Sequence, residues 1–330
     1  MGLKVNKFRV ASNKEWDKIW FACEYATYFQ SREWSEIWQD YHNGELRPPA
    51  YMLKFSDGKT ALFPLSWYSN RQIYYSSLPS TYGGLMSTDI MDTRHLVAAI
   101  DFVRNFLGSL FVRINPFWGN FDVDKTCLSF QDDETEMLYL DCGMERLRKN
   151  WTKGHRSAVA KARKVGVTVH QATTAQDWLD YFAMYEASLE RWGNSASSRY
   201  TWELFQIMRD HGSKHIKLWL ADHCGRAVAG ALCFYATRHV AYWHGAALEE
   251  YFHLRPVQLL LFDIIANAAD NGYYWFDFNP SGGHDGVRSF KRGFGTTTLS
   301  TPWIEVAGQN RLEGWEHAVK RVLGLWENVA

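Results

Sequence analysis

The sequence carries no surplus of charge: 36 Lys and Arg face 36 Asp and Glu across 330 residues. That balance excludes a protein that coats nucleic acid by bulk attraction and leaves room only for a local patch. Cysteine is sparse and unpatterned. Cys23, Cys127, Cys142, Cys224 and Cys233 are odd in number and form no C-x-x-C pair, which speaks against a disulfide framework or a zinc ribbon and fits a reducing compartment. No long apolar run is present either. The longest, Val257 to Ala269, is interrupted by Gln258, Asp263 and Asn267 and falls short of the ~20 residues a bilayer requires. The opening Met1-Gly2-Leu3-Lys4-Val5-Asn6 lacks the apolar stretch of a signal peptide, and Asn6 stands where a myristoylation pattern takes Ser or Thr. The expectation is a soluble, cytoplasmic protein with no membrane span. Also missing are a Walker G-x-x-x-x-G-K, a dinucleotide G-x-G-x-x-G and an H-E-x-x-H. Gly282-Gly283 before His284-Asp285 is too little for a metal site, so no metal is expected.

What is present is a large core. The chain is 46% hydrophobic and 16% aromatic, with 16 Trp, which rules out disorder and gives two domains as the natural expectation. Most of those rings pack, and some line a binding surface. Ser12 caps a predicted helix to about Tyr25, and Ser31 caps another to about Tyr41, with Trp34, Ile37, Trp38 and Tyr41 on one face. Strands follow at 51–55 and 61–67 around the turn pair Asp57-Gly58. Pro79 to Gly84 reads as a loop, 95–107 as a helix and 110–115 as a strand ended by Pro116.

The sharpest shift lies in the middle. Residues 122–145 are acidic, with Lys125 their one cation, whereas 146–164 hold Arg146, Arg148, Lys149, Lys153, Arg156, Lys161, Arg163 and Lys164 and no acid. The basic stretch is predicted as helix, with Ala158, Ala162 and Val165 towards a core. Its charged side is open to two readings, a solvated face or a phosphate- or RNA-binding face.

The second half alternates again: a strand at 166–171, helices at 175–191 and 200–210, and strands at 216–221, 227–235 and 240–246. A mostly buried helix then runs from Pro256 to just before Gly272. A strand at 273–279, a Gly-rich loop, a basic Phe-Lys-Arg-Gly-Phe-Gly segment, a strand near 299–304 and a helix over about 311–326 complete the chain. The whole predicts an α/β protein with mixed sheets.

The order hairpin, strand, buried helix, strand, loop resembles the core of the GNAT acyltransferase fold. Within that superfamily, Phe276-Asp277-Phe278 followed by Phe290-Lys291-Arg292-Gly293-Phe294-Gly295 resembles the closing signature of the FemABX-type aminoacyltransferases. The segment from Lys153-Gly154-His155-Arg156 to Val167, together with Phe29 to Trp34 and Tyr82-Gly83-Gly84, is similar to other features of that family. The resemblance spans roughly residues 29–295. It implies two tandem GNAT-like domains, 1–145 and 146–308, with 309–330 returning to pack on the first. It also implies transfer of an aminoacyl group from aminoacyl-tRNA to an amine of a peptidoglycan precursor or related metabolite.

The residues speak separately about the donor. An acyl-CoA enzyme of this fold cradles pyrophosphate on free N–H groups of a Gly-rich turn before the buried helix. Here that turn is Leu248 to Pro256, with no glycine, with Glu249 and Glu250, and with Pro256 removing one N–H. Coenzyme A is therefore disfavoured, and no cofactor is expected. Lys291 matches the family's signature lysine, which is expected to meet the donor or the developing negative charge, with Arg292 as companion. Asp277 and Asn279 alternate with Phe276 and Phe278 on one strand face, so Asp277 is a candidate to hold the acceptor amine or orient Lys291, or else a loop cap. His244, on the strand where the fold exposes its acyl carbonyl, suits proton transfer near neutrality or is structural. By position in the family, Arg32, Arg191 and Arg199 are candidates for acceptor phosphate, Tyr82 for substrate contact, and Lys153, Arg156, Lys161 and Lys164 for tRNA or phosphate. Two other readings stay open: an acyl-CoA-dependent N-acyltransferase on a sugar or small amine, and a non-catalytic carbohydrate- or precursor-binding protein.

Overall fold

Local chemistry starts the first two helices where expected. Strand β1 (Val5–Val10) leads to α1 (Asn13–Ala22), which Ser12 and Glu15 close with a reciprocal capping box. Ser31 accepts from the Trp34 amide at 3.0 Å to start α2 (Arg32–Tyr41). The computed structural model describes residues 2–79, 81–193 and 199–309. The helix expected over 311–326 lies outside the described residues, as does nearly all of the expected return segment 309–330.

Short strands follow: β2 (Leu46–Arg47), β3 (Ala50–Phe55), β4 (Thr60–Pro64), β5 (Ser66–Tyr68), β6 (Ile73–Tyr75) and β7 (Tyr82–Gly83). Helix α3 (Thr93–Phe106) and strand β8 (Ser109–Ile114) precede β9 (Glu134–Tyr139). The basic stretch is two helices, α4 (Gly143–Asn150) and α5 (Lys153–Lys164), rather than the single one expected. Trp151 causes the break. Its ring is buried against Phe294 at 4.7 Å, and Thr152 then caps α5 through the His155 amide. Val159 is buried with Ala158 and Ala162, and Val165, expected in the core, sits exposed at the helix end.

The remainder runs β10 (Thr168–Gln171), α6 (Ala175–Trp192), α7 (Trp202–Asp210), β11 (Ile216–His223), β12 (Arg226–Tyr235) and β13 (His239–Ala247). It continues through α8 (Pro256–Asp270), β14 (Trp275–Pro280), α9 (Asp285–Arg292), β15 (Thr297–Ser300) and β16 (Trp303–Val306). The strand expected near 299–304 is thus two strands. Pro302 separates them, and the chain crosses there from one sheet to another, with Thr301 Oγ1 donating to Ile114 O at 2.7 Å.

Three sheets result: β1-β3-β4; β16-β8-β6-β5-β2 with β7 beside β8; and seven strands in the order β10-β11-β12-β13-β14-β9-β15. Strand β9 lies in the seven-stranded sheet and β16 in the sheet of β8, so the two halves exchange strands across the boundary expected at residue 145. Helices α6 and α7 pack with one face of the large sheet and α5 and α8 with the other. Every cysteine is a free thiol. Among the described residues no helix is long and apolar enough to cross a membrane.

The two halves meet through rings. Tyr28 stacks on Phe234 with centroids 4.8 Å apart and planes 2° from parallel, and Trp34 meets Phe234 edge-on at 5.0 Å and Trp243 at 5.7 Å. The Trp34 indole is buried and donates to Leu78 O at 2.6 Å. Each ring removes a large apolar area from water, and the edge-on geometry adds electrostatic preference. Trp34→Ala leaves a ring-sized void and removes one of the two donors to Leu78 O, which Thr81 Oγ1 also bonds at 2.7 Å. It should cost about 3–5 kcal/mol in equilibrium denaturation; a loss under about 1 kcal/mol would show that the halves do not depend on this contact.

Candidate active site

Strands β13 and β14 run parallel and pair only over His239–Ala241 against Trp275–Asp277. Beyond that point they part. Tyr242, Trp243, His244 and Gly245 form one lip and Phe278, Asn279 and Pro280 the other of a cavity of about 820 Å³. Asn279 spans the split: its amide nitrogen donates to Tyr242 O at 2.9 Å in place of a ladder bond. Tyr82, Arg113 and Asp133 close the cavity from the first half, and α9 brings Lys291 to its floor.

Lys291 is buried, 4% exposed, with its ammonium donating to Asn279 O at 2.6 Å and Pro280 O at 3.2 Å. Burial pushes its pKa down to about 8, against the opposing pull of Asp277, Glu136 and Asp133. Both carbonyls point at the ammonium because Asn279 takes a left-handed φ of 57°. That turn also corrects a sequence expectation. Asp277 and Asn279 do not share a face, since the positive φ breaks the two-residue alternation. Asp277 is fully buried beneath the turn, where it accepts from Asn279 N at 2.9 Å and Thr135 Oγ1 at 2.6 Å and lies 3.4 Å from His239 Nε2. It is placed to orient the turn that holds Lys291, and it does not line the cavity.

His244 lines the cavity, and its Nδ1 is 2.5 Å from Tyr181 OH. Burial raises that phenol well above its ordinary range and lowers the imidazole to about 4. A protonated phenol donating to Nδ1 fixes a neutral ring that carries its hydrogen on Nε2. Such a ring donates a hydrogen bond; it does not collect a proton at neutrality, as the sequence had suggested. Tyr181 itself is seated by Gly230, where a Cβ would fall 2.4 Å from the ring.

The other candidates scatter. Tyr82 lines the cavity, its hydroxyl near Thr135 and Asp277 without a hydrogen bond. Arg292 faces away and pairs with buried Glu136 at 2.7 Å, which Thr296 and Thr298 also bond. Arg32 is held by Asp17 at 3.0 Å and by Glu36, outside the cavity lining. Arg199 donates to Gly193 O, and Arg191 sits between Trp192 and Phe252 at the end of β13. Arg156 turns inward to carbonyls of Arg148, Lys149 and Trp151 and so closes the end of α4, while Lys153, Lys161 and Lys164 stay exposed on α5. His155 belongs to the packing behind Lys291. Its ring meets Phe294 at 4.4 Å and lies where a Cβ on Gly293 would be 2.3 Å away. Sequence reasoning missed the Arg113–Asp133 pair at 2.5 Å and the lining rings Tyr185, Trp192, Tyr200, Tyr242 and Trp243. In so aromatic a chain nothing singles those rings out. Among the described residues no group of three or more His, Cys, Asp or Glu side chains could hold a metal ion.

Known proteins share this architecture. Residues 147–292 match the family model of the acetyltransferase (GNAT) domain. The crystal structure of FemX is similar over 96% of this chain and 99% of its own, with TM-score 0.67 and 14% identity. The C-terminal domain of a putative lysylphosphatidylglycerol synthetase from Agrobacterium fabrum matches with TM-score 0.55 and 12% identity over 94% of this chain and 97% of its own. L-PGS from Bacillus licheniformis gives 0.53 and 12% over 96% and 98%. No curated protein matches the chain. Residues 147–292 thus match a GNAT domain, and the whole chain shares the fold of FemX.

Burying an ammonium has a sign that can be worked out. With a folded pKa near 8 against an ordinary 10.5, the unfolded chain binds more proton between those values, so Lys291 makes stability rise from pH 8 towards 10.5 and costs stability below pH 8. Lys291→Met, similar in length and uncharged, should melt no lower than the natural protein at pH 7 and should lose that alkaline rise. A fall of more than about 4 °C at pH 7, roughly 1–2 kcal/mol for a chain of this size, would show that the two carbonyl bonds outweigh the burial cost.

Proposed function

We propose that this protein forms an amide bond by transferring an aminoacyl group from aminoacyl-tRNA to the amine of a small molecule, a peptidoglycan precursor or related metabolite. The observation that carries the reading is Lys291, a buried ammonium fixed at the parting of β13 and β14. The ester is already activated. The neutral acceptor amine attacks its carbonyl carbon, a C–N bond forms and the carbonyl oxygen takes the charge. The C–O bond to the ribose then breaks, and the proton leaving the amine goes to the departing ribose oxygen. Lys291 has two hydrogens directed to carbonyls and a third for the oxyanion, and the His244 Nε2–H is a second donor.

The turn before α8 supports an aminoacyl donor over coenzyme A. Residues Glu249–Leu254 form a 3-10 helix with two carboxylates, and Pro256 opens α8, so the site where an acyl-CoA enzyme presents N–H groups to pyrophosphate has little to present. The fold relative named as a putative lysylphosphatidylglycerol synthetase is in keeping with this chemistry. The acetyltransferase description of the matching domain model is what favours the other reading, an acyl-CoA-dependent N-acyltransferase.

A thermal-shift comparison separates them, because a ligand that binds only the folded state stabilises it by mass action. Stabilisation by charged tRNA above uncharged, with none by acetyl-CoA, is expected; stabilisation by acetyl-CoA alone overturns the reading. Lys291→Ala should lower turnover ~10²–10³-fold, the range for a lost oxyanion donor. Because the ammonium form is the active one, turnover should fall as pH rises through about 8. A rate still climbing above that pH would mean that Lys291 acts deprotonated.

A further inference from the structure

We propose that His284, at the mouth of the cavity, takes a proton from the acceptor's ammonium, so that the amine reaches the ester neutral. The proposal rests on the amide-forming reading above and deepens it by naming the base.

The attacking nitrogen needs a lone pair, yet an alkylamine of ordinary basicity carries an extra proton in all but about one molecule in 10³ at pH 7. A group of the protein has to remove that proton. Apart from tyrosines, the titratable and charged side chains lining the cavity are Arg113, Asp133, His244, His284, Asp285 and Lys291. Most are committed. Lys291 is itself an ammonium bound to two carbonyls. His244 receives the Tyr181 hydrogen on Nδ1 and presents an N–H rather than a lone pair. Asp133 pairs with Arg113 at 2.5 Å and accepts from Glu134 N at 2.8 Å. Burial pushes the phenols of Tyr82, Tyr185 and Tyr242 up, so they keep their hydrogens. Asp285 turns to solvent, 95% exposed, with Arg288 Nη1 3.9 Å away.

His284 remains. Among the described residues nothing bonds its ring nitrogens. It is exposed to water yet lines the cavity, so a proton taken from substrate passes to solvent once product has left. Imidazole suits such an exchange near neutrality. The backbone holds the residue in place: His284 N donates to Ser281 O at 3.0 Å, and its carbonyl accepts from Arg288 N at 3.0 Å at the start of α9. Seven residues, about two helical turns, separate it from Lys291, so both lie with Val287 on the α9 side that borders the cavity. An amine entering past His284 meets Lys291 farther in. Gly282 and Gly283, with φ of 57° and 81°, make the sharp turn out of β14 that sets His284 there. The Gly-Gly-His-Asp run, too little for a metal site, thus gains a role. The step balances: one ammonium hydrogen passes to an imidazole nitrogen lone pair, the amine lone pair is freed for the C–N bond, and the amine's next hydrogen goes to the ribose oxygen.

Discharge of total aminoacyl-tRNA into ethylamine and into hydroxylamine, which is largely neutral at pH 7, tests the proposal with His284→Gln. Turnover with ethylamine should fall about 10²–10⁴-fold at pH 7, the range for a general base, while turnover with hydroxylamine stays unchanged. With ethylamine the variant's rate should climb about tenfold per pH unit between about pH 6 and 8, following the free amine, and the natural protein should show a shallower rise. Added imidazole should restore His284→Gly. An equal loss with both amines would leave His284 a positioning residue and overturn the proposal, as would no loss with either. The same contrast with acetyl-CoA as the one donor used would uphold the base and overturn the aminoacyl donor. Transfer by the natural protein from neither donor to either amine would overturn both readings.

Discussion

The hydrogen bonds from the Lys291 ammonium to the carbonyls of Asn279 and Pro280 organise much of what surrounds them. A lysine this deep keeps its proton near neutrality only if fixed dipoles replace the water it has lost. Two successive carbonyls can converge on one ammonium only where the chain leaves the extended conformation, and the left-handed Asn279 does that. Asparagine tolerates such a φ better than most side chains. The same residue bridges to Tyr242 across the parted strands. Beneath it, Asp277 ties the Asn279 amide to Thr135 of β9, a strand inserted between β14 and β15. The floor of the cavity thus depends on a segment that enters this sheet from the first half of the chain.

The aromatic contact between the halves does the complementary work of fixing the walls. Phe234 of β12 lies against Tyr28, Phe29, Trp34 and Trp243, so the lip that carries Trp243 and His244 is braced from outside its own sheet. Gly230, also on β12, admits the Tyr181 ring, whose hydroxyl in turn sets the His244 tautomer. A chain of close contacts therefore runs from a missing Cβ to the hydrogen a substrate would meet. Such chains move as units because packed side chains have few alternative arrangements.

Strong local signals carried the legible part of the fold. The Ser12 and Ser31 caps, the Asp57-Gly58 hairpin and the Pro256-to-Gly272 helix all follow from nearest-neighbour chemistry. Strand β9 escaped because its alternation, Glu134-Thr135-Glu136-Met137, sits in an acidic run, and its carboxylate at Glu136 is matched by Arg292, Thr296 and Thr298, far along the chain. The basic helix read as continuous because a tryptophan does not break helices by propensity; Trp151 breaks this one to reach Phe294. Among the site candidates, Lys291, Asn279, His244 and Tyr82 fall together at the cavity. Arg32 does not, because Asp17, fifteen residues earlier, holds it. No local pattern encodes such a pairing, nor the joining of Arg113 to Asp133. The positive φ at Asn279 is likewise invisible to a two-residue period, and it moves Asp277 from the presumed reacting face to the support beneath it.

The placement of cations follows a consistent electrostatic logic. A free guanidinium inside the cavity would attract phosphate to the reacting centre and compete with an ester for the same donors. The interior instead neutralises Arg113 with Asp133 and surrounds Lys291 with carbonyls, so what remains is a weakly charged space walled by Tyr82, Tyr185, Tyr200, Tyr242 and Trp243. In such surroundings the interaction that strengthens most during reaction is the one between a fixed hydrogen-bond donor and a charge that is absent in the ground state. An aminoacyl ester and an uncharged amine generate that charge only as the tetrahedral centre forms. A phosphate drawn inside would be bound before reaction and after it alike, and would gain nothing from the arrangement. On this ground the cavity suits a reacting centre that is uncharged before reaction, while exposed positive charge lies outside it, on α5 and beside Arg191.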